Sequence, residues 1–163
     1  MASKRTLTAI IGATAAALVM GLTPLQEGRS NNPYRDTGGV WTVCDGQTGV
    51  PMRYYTNAQC DAMLANTLAN VASQVEAITP GYASLPDGVK AATVDFTYNV
   101  GIGTYSKSTY RKMLSAREVP AACDQLLRYK YVGALDCSTS VNRSQCGGVW
   151  TRRQAERTMC RGE

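Results

Sequence analysis

The stretch Gln26–Gly49, Q-E-G-R-S-N-N-P-Y-R-D-T-G-G-V-W-T-V-C-D-G-Q-T-G, decides how the rest of the chain is read. It carries two carboxylates nine residues apart, Glu27 and Asp36, and then a strand-like run around Thr42 between glycine-rich turns. Asp-Thr-Gly-Gly at 36–39 is sound turn chemistry, because aspartate bonds nearby backbone and glycine takes left-handed angles at no steric cost. Thr42 taken alone is simply a good strand former.

Working backwards, Lys4 and Arg5 precede Thr6–Thr23, T-L-T-A-I-I-G-A-T-A-A-A-L-V-M-G-L-T, 18 residues without a charge. That length is at the short end of what spans a bilayer. The positive flank predicts an N-terminus inside and the chain after Thr23 outside. Alanine, glycine and threonine outnumber Leu, Ile, Val and Met, so partition into lipid is marginal. Three readings follow: a cleaved signal peptide, with A-x-A options at Ala13–Ala17 inside the apolar run; a permanent anchor; or a signal-anchor that inserts and later leaves.

Working forwards, Arg53-Tyr54-Tyr55 reads as a short strand. Thr56 and Gln59 form a capping box, and Cys60, Met63, Leu64, Leu68, Val71, Val75 and Ile78 follow at helical spacing up to Thr79-Pro80-Gly81. Such a helix is about 30 Å long, enough to join two lobes. Pro86 opens another, with Val89, Ala92, Thr93 and Phe96 on one face, ending at Asn99-Val100-Gly101. Helices are expected at about 108–115 and from Pro120, then a polar loop from Gly133 to Gly148. Thr151 and Gln154 make a capping box for a last helix. The fold class expected is α+β: a small β-hairpin N-lobe, a long helix and a helical C-lobe, with an apolar N-terminal helix.

Composition removes several function classes. The 163 residues contain no histidine, so there is no Ser-His-Asp or Cys-His pair and no imidazole metal site; neither metal nor cofactor is expected. Acid–base work falls to carboxylates, lysine or tyrosine. The net charge of +5 suits an acidic polymer, an anionic membrane surface or bacterial cell wall, but no Lys/Arg run exceeds two residues, which argues against nucleic acid. None of the six cysteines forms C-x-x-C, and an even count behind an apolar leader points to disulfides in an oxidising compartment.

Cleaving a glycosidic bond requires one carboxylic acid held protonated and one carboxylate kept ionised on the opposite face of the sugar. Glu27 follows Leu22, Pro24 and Leu25, an apolar setting that would raise its pKa, whereas Asp36 sits in a polar turn beside Arg35. Spacing alone is weak, since a Glu/Asp pair nine apart arises often by chance.

The pattern around that pair is more specific. E-G at 27–28, Y-R-D-T-G-G-V-W-T at 34–42 and V-C-D-G-Q-T-G at 43–49 resemble the active-site region of the T4-type phage lysozymes, glycoside hydrolase family 24. F-T-Y-N-V-G-I-G-T-Y-S-K-S-T at 96–109, A-C-D-Q-L at 122–126 and W-T-R-R-Q-A-E-R at 150–157 match in the same order. The weak leader is similar to that of the signal-arrest-release endolysins of the phage 21 type. The resemblance implies a muramidase cutting the β-1,4 bond between N-acetylmuramic acid and N-acetylglucosamine of peptidoglycan. Glu27 is then the general acid, Asp36 the partner carboxylate and Thr42 a residue that positions water. Asn99 is a weaker substrate contact, and Arg152 and Arg153 are structural partners of acids such as Glu156. Residues 1–25 form the signal-anchor-release segment and 26–163 the muramidase domain, a monomer. Residues 6–23 hold it in the host inner membrane, facing the periplasm, until release packs the segment on or into the N-lobe and brings Glu27 into register with Asp36. A lytic transglycosylase and a non-catalytic, membrane-tethered wall binder are the alternatives.

Relatives commonly carry histidine where this chain has Gln47 and often where it has Asp45, which puts in doubt a buried ion pair in the N-lobe. Six cysteines allow 15 pairings, and sequence alone does not choose among them. Their elements favour Cys44 with Cys60, Cys123 with Cys160 and Cys137 with Cys146, and buried free thiols are the alternative. The leader holds no cysteine, so a leader thiol attacking an active-site disulfide is not expected.

Overall fold

A computed structural model describes residues 4–163; Met1, Ala2 and Ser3 of the leader lie outside the described residues. The leader is two helices rather than one, α1 (Leu7–Ile11) and α2 (Ala13–Glu27). Gly12 separates them at φ 87°, ψ 160°, a backbone region essentially confined to glycine. Leu7, Ile10, Ile11, Ala15, Val19, Leu22 and Thr23 are buried, and their three- and four-residue spacing runs through the break, so both helices present one stripe to the core. No helix of the described residues is long and apolar enough to cross a membrane.

The N-lobe is an antiparallel hairpin, β1 (Ser30–Arg35) and β2 (Trp41–Cys44), with Tyr34 opposite Thr42 and Arg35 opposite Trp41. Its small core is Val43, Cys44, Tyr55 and Cys60. Arg53–Tyr55 is not a strand: Tyr55 N–H donates to Asn31 O at 3.0 Å without extending the sheet. The connecting helix α3 (Asn57–Ile78) begins with the expected capping box, Gln59 N–H to Thr56 Oγ1 at 3.2 Å and Thr56 N–H to Gln59 Oε1 at 2.9 Å.

The C-lobe is built around α4 (Asp87–Val100), buried without interruption from Val89 to Thr97 rather than on one face. Helix α2 packs along it, which corrects the expectation that the leader joins the N-lobe: α1 lies on α3, α2 on α4. The hairpin is too small to bury a stripe of that length, whereas α3 and α4 offer Leu68, Ala72, Val75 and Ala92 in the same cluster. Helices α5 (Ile102–Lys107), α6 (Thr109–Ser115) and α7 (Val119–Gln125) complete the bundle.

The region expected to be a loop holds a short hairpin, β3 (Tyr131–Val132) and β4 (Leu135–Asp136), and the start of α8 (Arg143–Arg161). Helix α8 is kinked at Cys146, where the backbone leaves helical angles at φ −147°, ψ 17°. Thr151 therefore lies inside α8, its hydroxyl donating to Gly147 O at 3.2 Å, and makes no capping box. Disulfides join Cys44 to Cys60, Cys123 to Cys160 and Cys137 to Cys146, the last holding the chain after β4 against α8.

Candidate active site

Glu27 is the last residue of α2, and Gly28 at φ 72° turns the chain from that helix into the hairpin. Its setting is polar, not apolar as expected. Arg152 of α8 pairs with Glu27 Oε1 through Nη1. The other edge of the same guanidinium grips both oxygens of Asp95 on α4, Nε to Oδ2 at 3.0 Å and Nη2 to Oδ1 at 2.9 Å. Thr23, one turn before Glu27, donates its hydroxyl to Asp95 Oδ1 at 2.7 Å. Glu156 lies 2.8 Å from Arg153 Nη2 and 3.6 Å from Arg152 Nε. Two guanidinium groups thus face three carboxylates, of which only Glu27 reaches solvent, its side chain 24% exposed against 0% for Asp95 and Glu156.

The electrostatics follow from burial and pairing. Desolvation works against the charge of Arg152, but Asp95 and Glu27 overcome it and hold the guanidinium above the usual arginine range. Burial pushes the Glu156 carboxyl well above its usual value, with Arg153 pulling it back. Tyr98 is raised to about 12, first by burial and then by the Glu27 charge. It stays a neutral donor to Asp45 O at 2.8 Å. That bond ties the turn after β2 to α4 and sets Gly46 against the acid: a Cβ at Gly46 would stand 3.9 Å from Glu27 Oε2.

Asp36 closes the hairpin turn. Its Oδ1 accepts from Gly38 N–H at 2.9 Å and Val40 N–H at 2.8 Å, which fixes the carboxylate. Arg35 does not pair with it; its guanidinium donates to Gly39 O and lies 4.8 Å from the Trp41 ring centroid. Between the Ser30–Cys44 and Tyr34–Thr42 pairs, β1 spends four steps where β2 spends two, so β1 is bulged and bends. Thr42 is nearly buried and donates to Val40 O at 3.1 Å, leaving its oxygen free to accept.

Glu27 and Asn99 line one cleft of about 390 Å³ with Leu25, Gln26, Gly148, Val149, Thr151 and Arg152; Asp36 and Thr42 are not in its lining. Asn99 Oδ1 accepts from Arg153 Nη2 at 2.8 Å. The cleft adjoins two further hollows. It shares Asn99 and Val149 with a hollow lined by Tyr129 and Tyr131, and Gly148 and Thr151 with one lined by Arg143 and Trp150. A trough of that kind fits an extended polymer.

Arg152 and Asp95 are the residues that the sequence does not reveal. Arg152 was expected to serve Glu156, four positions on, and nothing local links it to Glu27, 125 positions away. At the two positions without histidine the side chains find other partners: Asp45, wholly buried, takes Arg29 at 2.7 Å, and the Gln47 amide nitrogen lies 3.3 Å from Thr67 Oγ1.

Residues 25–156 match the phage lysozyme family. The chain is similar to the SAR-endolysins of Enterobacteria phage PA-2 and Enterobacteria phage P21, each 37% identical over 137 residues, 82% of this chain and 76% of the relative. Among solved structures it resembles the active form of the P1 phage endolysin Lyz, with a TM-score of 0.74 and 21% identity over 94% of this chain and 90% of that one.

Proposed function

The chain belongs to the phage lysozyme family, an endolysin that lyses the host by hydrolysing peptidoglycan, and from that membership we propose how its residues act. Glu27 protonates the oxygen of the β-1,4 bond between N-acetylmuramic acid and N-acetylglucosamine. Asp36, held by the turn amides, and the Thr42 oxygen position a water for attack on the opposite face, the inverting arrangement. The observation that carries this assignment is the placing of Glu27, the one solvent-reaching carboxylate of the Arg152 network, in a polymer-sized trough. Asn99 lines the same trough and is assigned to substrate contact.

Glu27→Gln keeps the shape and removes the proton, so activity should fall by about 10²–10⁴-fold. Retained activity would refute the assignment, and a non-catalytic wall binder would keep its full effect. Mass spectrometry of the products separates the enzymes: free reducing ends support hydrolysis, whereas anhydro ends mean a lytic transglycosylase.

We also propose that residues 6–23 hold the enzyme in the host inner membrane, on the periplasmic face, and then release it to the periplasm. Leu7, Ile10, Ile11, Val19 and Leu22 are core residues of the folded enzyme, so they serve either the bilayer or the core. While they lie in lipid, Glu27, four residues on, is without its place beside Arg152. Release is favoured over cleavage because a cut at Ala13–Ala17 would strip Leu7, Ile10 and Ile11 from the core. Three disulfides suit the oxidising periplasm.

A further inference from the structure

The buried face of the leader is apolar at Leu7, Ile10, Ile11, Val19 and Leu22, and then wholly buries a threonine. Packing does not call for that hydroxyl; valine has the same shape. The hydroxyl instead closes a ring of side chains. Thr23 and Glu27 lie one turn apart on α2, Thr23 donates to Asp95 at 2.7 Å, Asp95 takes two bonds from Arg152, and Arg152 pairs with Glu27. We infer that Thr23 is a positioning residue for the Glu27 carboxyl, acting through Asp95 and Arg152. The inference rests on the assignment of Glu27 as general acid.

The physics is that of a shared acceptor. Asp95 Oδ1 accepts from both Thr23 and Arg152 Nη2, so the hydroxyl fixes where that oxygen stands and therefore where the guanidinium stands. The free edge of a rigid, planar guanidinium follows any tilt of its held edge. Without the hydroxyl the Asp95–Arg152 unit keeps its charge pairing but loses its third anchor, and Nη1 no longer presents Glu27 at one fixed angle. Glu27 and Arg152 line the trough, but Thr23 and Asp95 are wholly buried behind it and do not meet the polymer, so loss of the hydroxyl should fall on kcat rather than KM.

The test uses the full chain on soluble, uncrosslinked glycan strands, below the melting temperature of every variant. Thr23→Val should lower kcat about 5- to 20-fold, the partial loss of a hydrogen bond to a charged group, with KM within about twofold. Thr23→Ser, which restores the donor, should recover most of that rate. In an Asp95→Asn background Thr23→Val should cost nothing further, because both changes cut one chain of contacts. An unchanged kcat for Thr23→Val, a Ser variant as slow as the Val variant, or losses that multiply in the double variant each overturn the inference. If Thr23→Val does not fold, Thr23→Ala gives the same comparison with Ser. Glu27→Gln keeps the two levels apart. An active Glu27→Gln sinks the acid assignment, whereas an inactive Glu27→Gln beside a full-rate Thr23→Val sinks only the role of Thr23.

Discussion

Gly21 offers a way to load one side of the release equilibrium. It sits on the water-facing side of α2, takes no positive φ, and a Cβ there would meet no atom within 4 Å. Leucine at that position leaves the folded enzyme without a clash and gains almost no burial there. In the bilayer the same side chain is fully buried, worth about 1.5–3 kcal/mol. Helix propensity favours leucine over glycine in both states and cancels. At about 1.4 kcal/mol per factor of ten, Gly21→Leu should shift the membrane–released ratio about 10- to 100-fold toward the membrane. Gly21→Ala supplies the helix-propensity control with little added apolar area. The assay is cell fractionation together with lysis timing: Gly21→Leu should stay with the membrane and delay lysis, and Gly21→Ala should do so far less. Gly12→Ala pushes the same way from the other side, straining only the folded state, by about 1–3 kcal/mol at its φ of 87°. Purified Gly21→Leu should therefore melt like the parent, and Gly12→Ala below it. Normal lysis timing and normal fractionation of Gly21→Leu would refute the release mechanism.

Two further predictions concern stability. Asp136 is held down at about 2, first by its hydrogen bond from Lys130 and then by Ser138. A depressed carboxylate stabilises the fold above its unfolded pKa of about 3.9 and loses that contribution as pH falls toward the folded value. Protection of the Cys137 and Ser138 amides, measured relative to intrinsic exchange at each pH, should thus fall between about pH 4 and pH 2, and Lys130→Ala should remove most of that pH dependence. Replacing Cys44 and Cys60 by alanine opens a loop of 16-residue separation and should cost about 3 kcal/mol. For a domain of this size that is a fall of roughly 6–12 °C in calorimetric Tm; a drop under about 2 °C would mean that Val43 and Tyr55 hold the hairpin without it.

What could be read ahead of the structure was local. The capping box at Thr56, the turn at Asp36–Gly39 and the helical spacing after Cys60 are set by neighbours in the chain, and each is present. What escaped depends on distant partners. Asp95 reads as a polar interruption of a helix face until Thr23 and Arg152 arrive to satisfy it, and only then can α4 be buried all round. Arg152 shows the same limit in the site itself. Its i,i+4 acid is the weaker contact at 3.6 Å, and the partners that matter lie 57 and 125 residues away. Thr151 misled for a different reason: its spacing to Gln154 satisfies the capping pattern, but α8 had already begun behind the Cys137–Cys146 link.

The odd composition of the leader becomes intelligible once both of its proposed environments, bilayer and core, are considered. The large apolar residues Leu7, Ile10, Ile11, Val19 and Leu22 occupy the buried stripe, while Thr8, Ala9, Ala13, Thr14, Ala17 and Gly21 face water, with Leu18 a large apolar side chain exposed beside them. A firm membrane anchor would carry leucine across that second face, and each would be an exposed apolar side chain in the released enzyme. It would also hold the segment in lipid. Small residues on the outer face meet both demands at once, leaving enough apolar surface for a marginal stay in the bilayer and none too much for water. Gly12 completes the compromise, since the bend that lets one stripe follow the core from α3 to α4 requires a backbone angle that leucine or alanine resists. On the proposed release, the weakness of the segment is a condition for placing Thr23 and Glu27. A leader that stayed in lipid would deny Asp95 its donor and Arg152 its acid together.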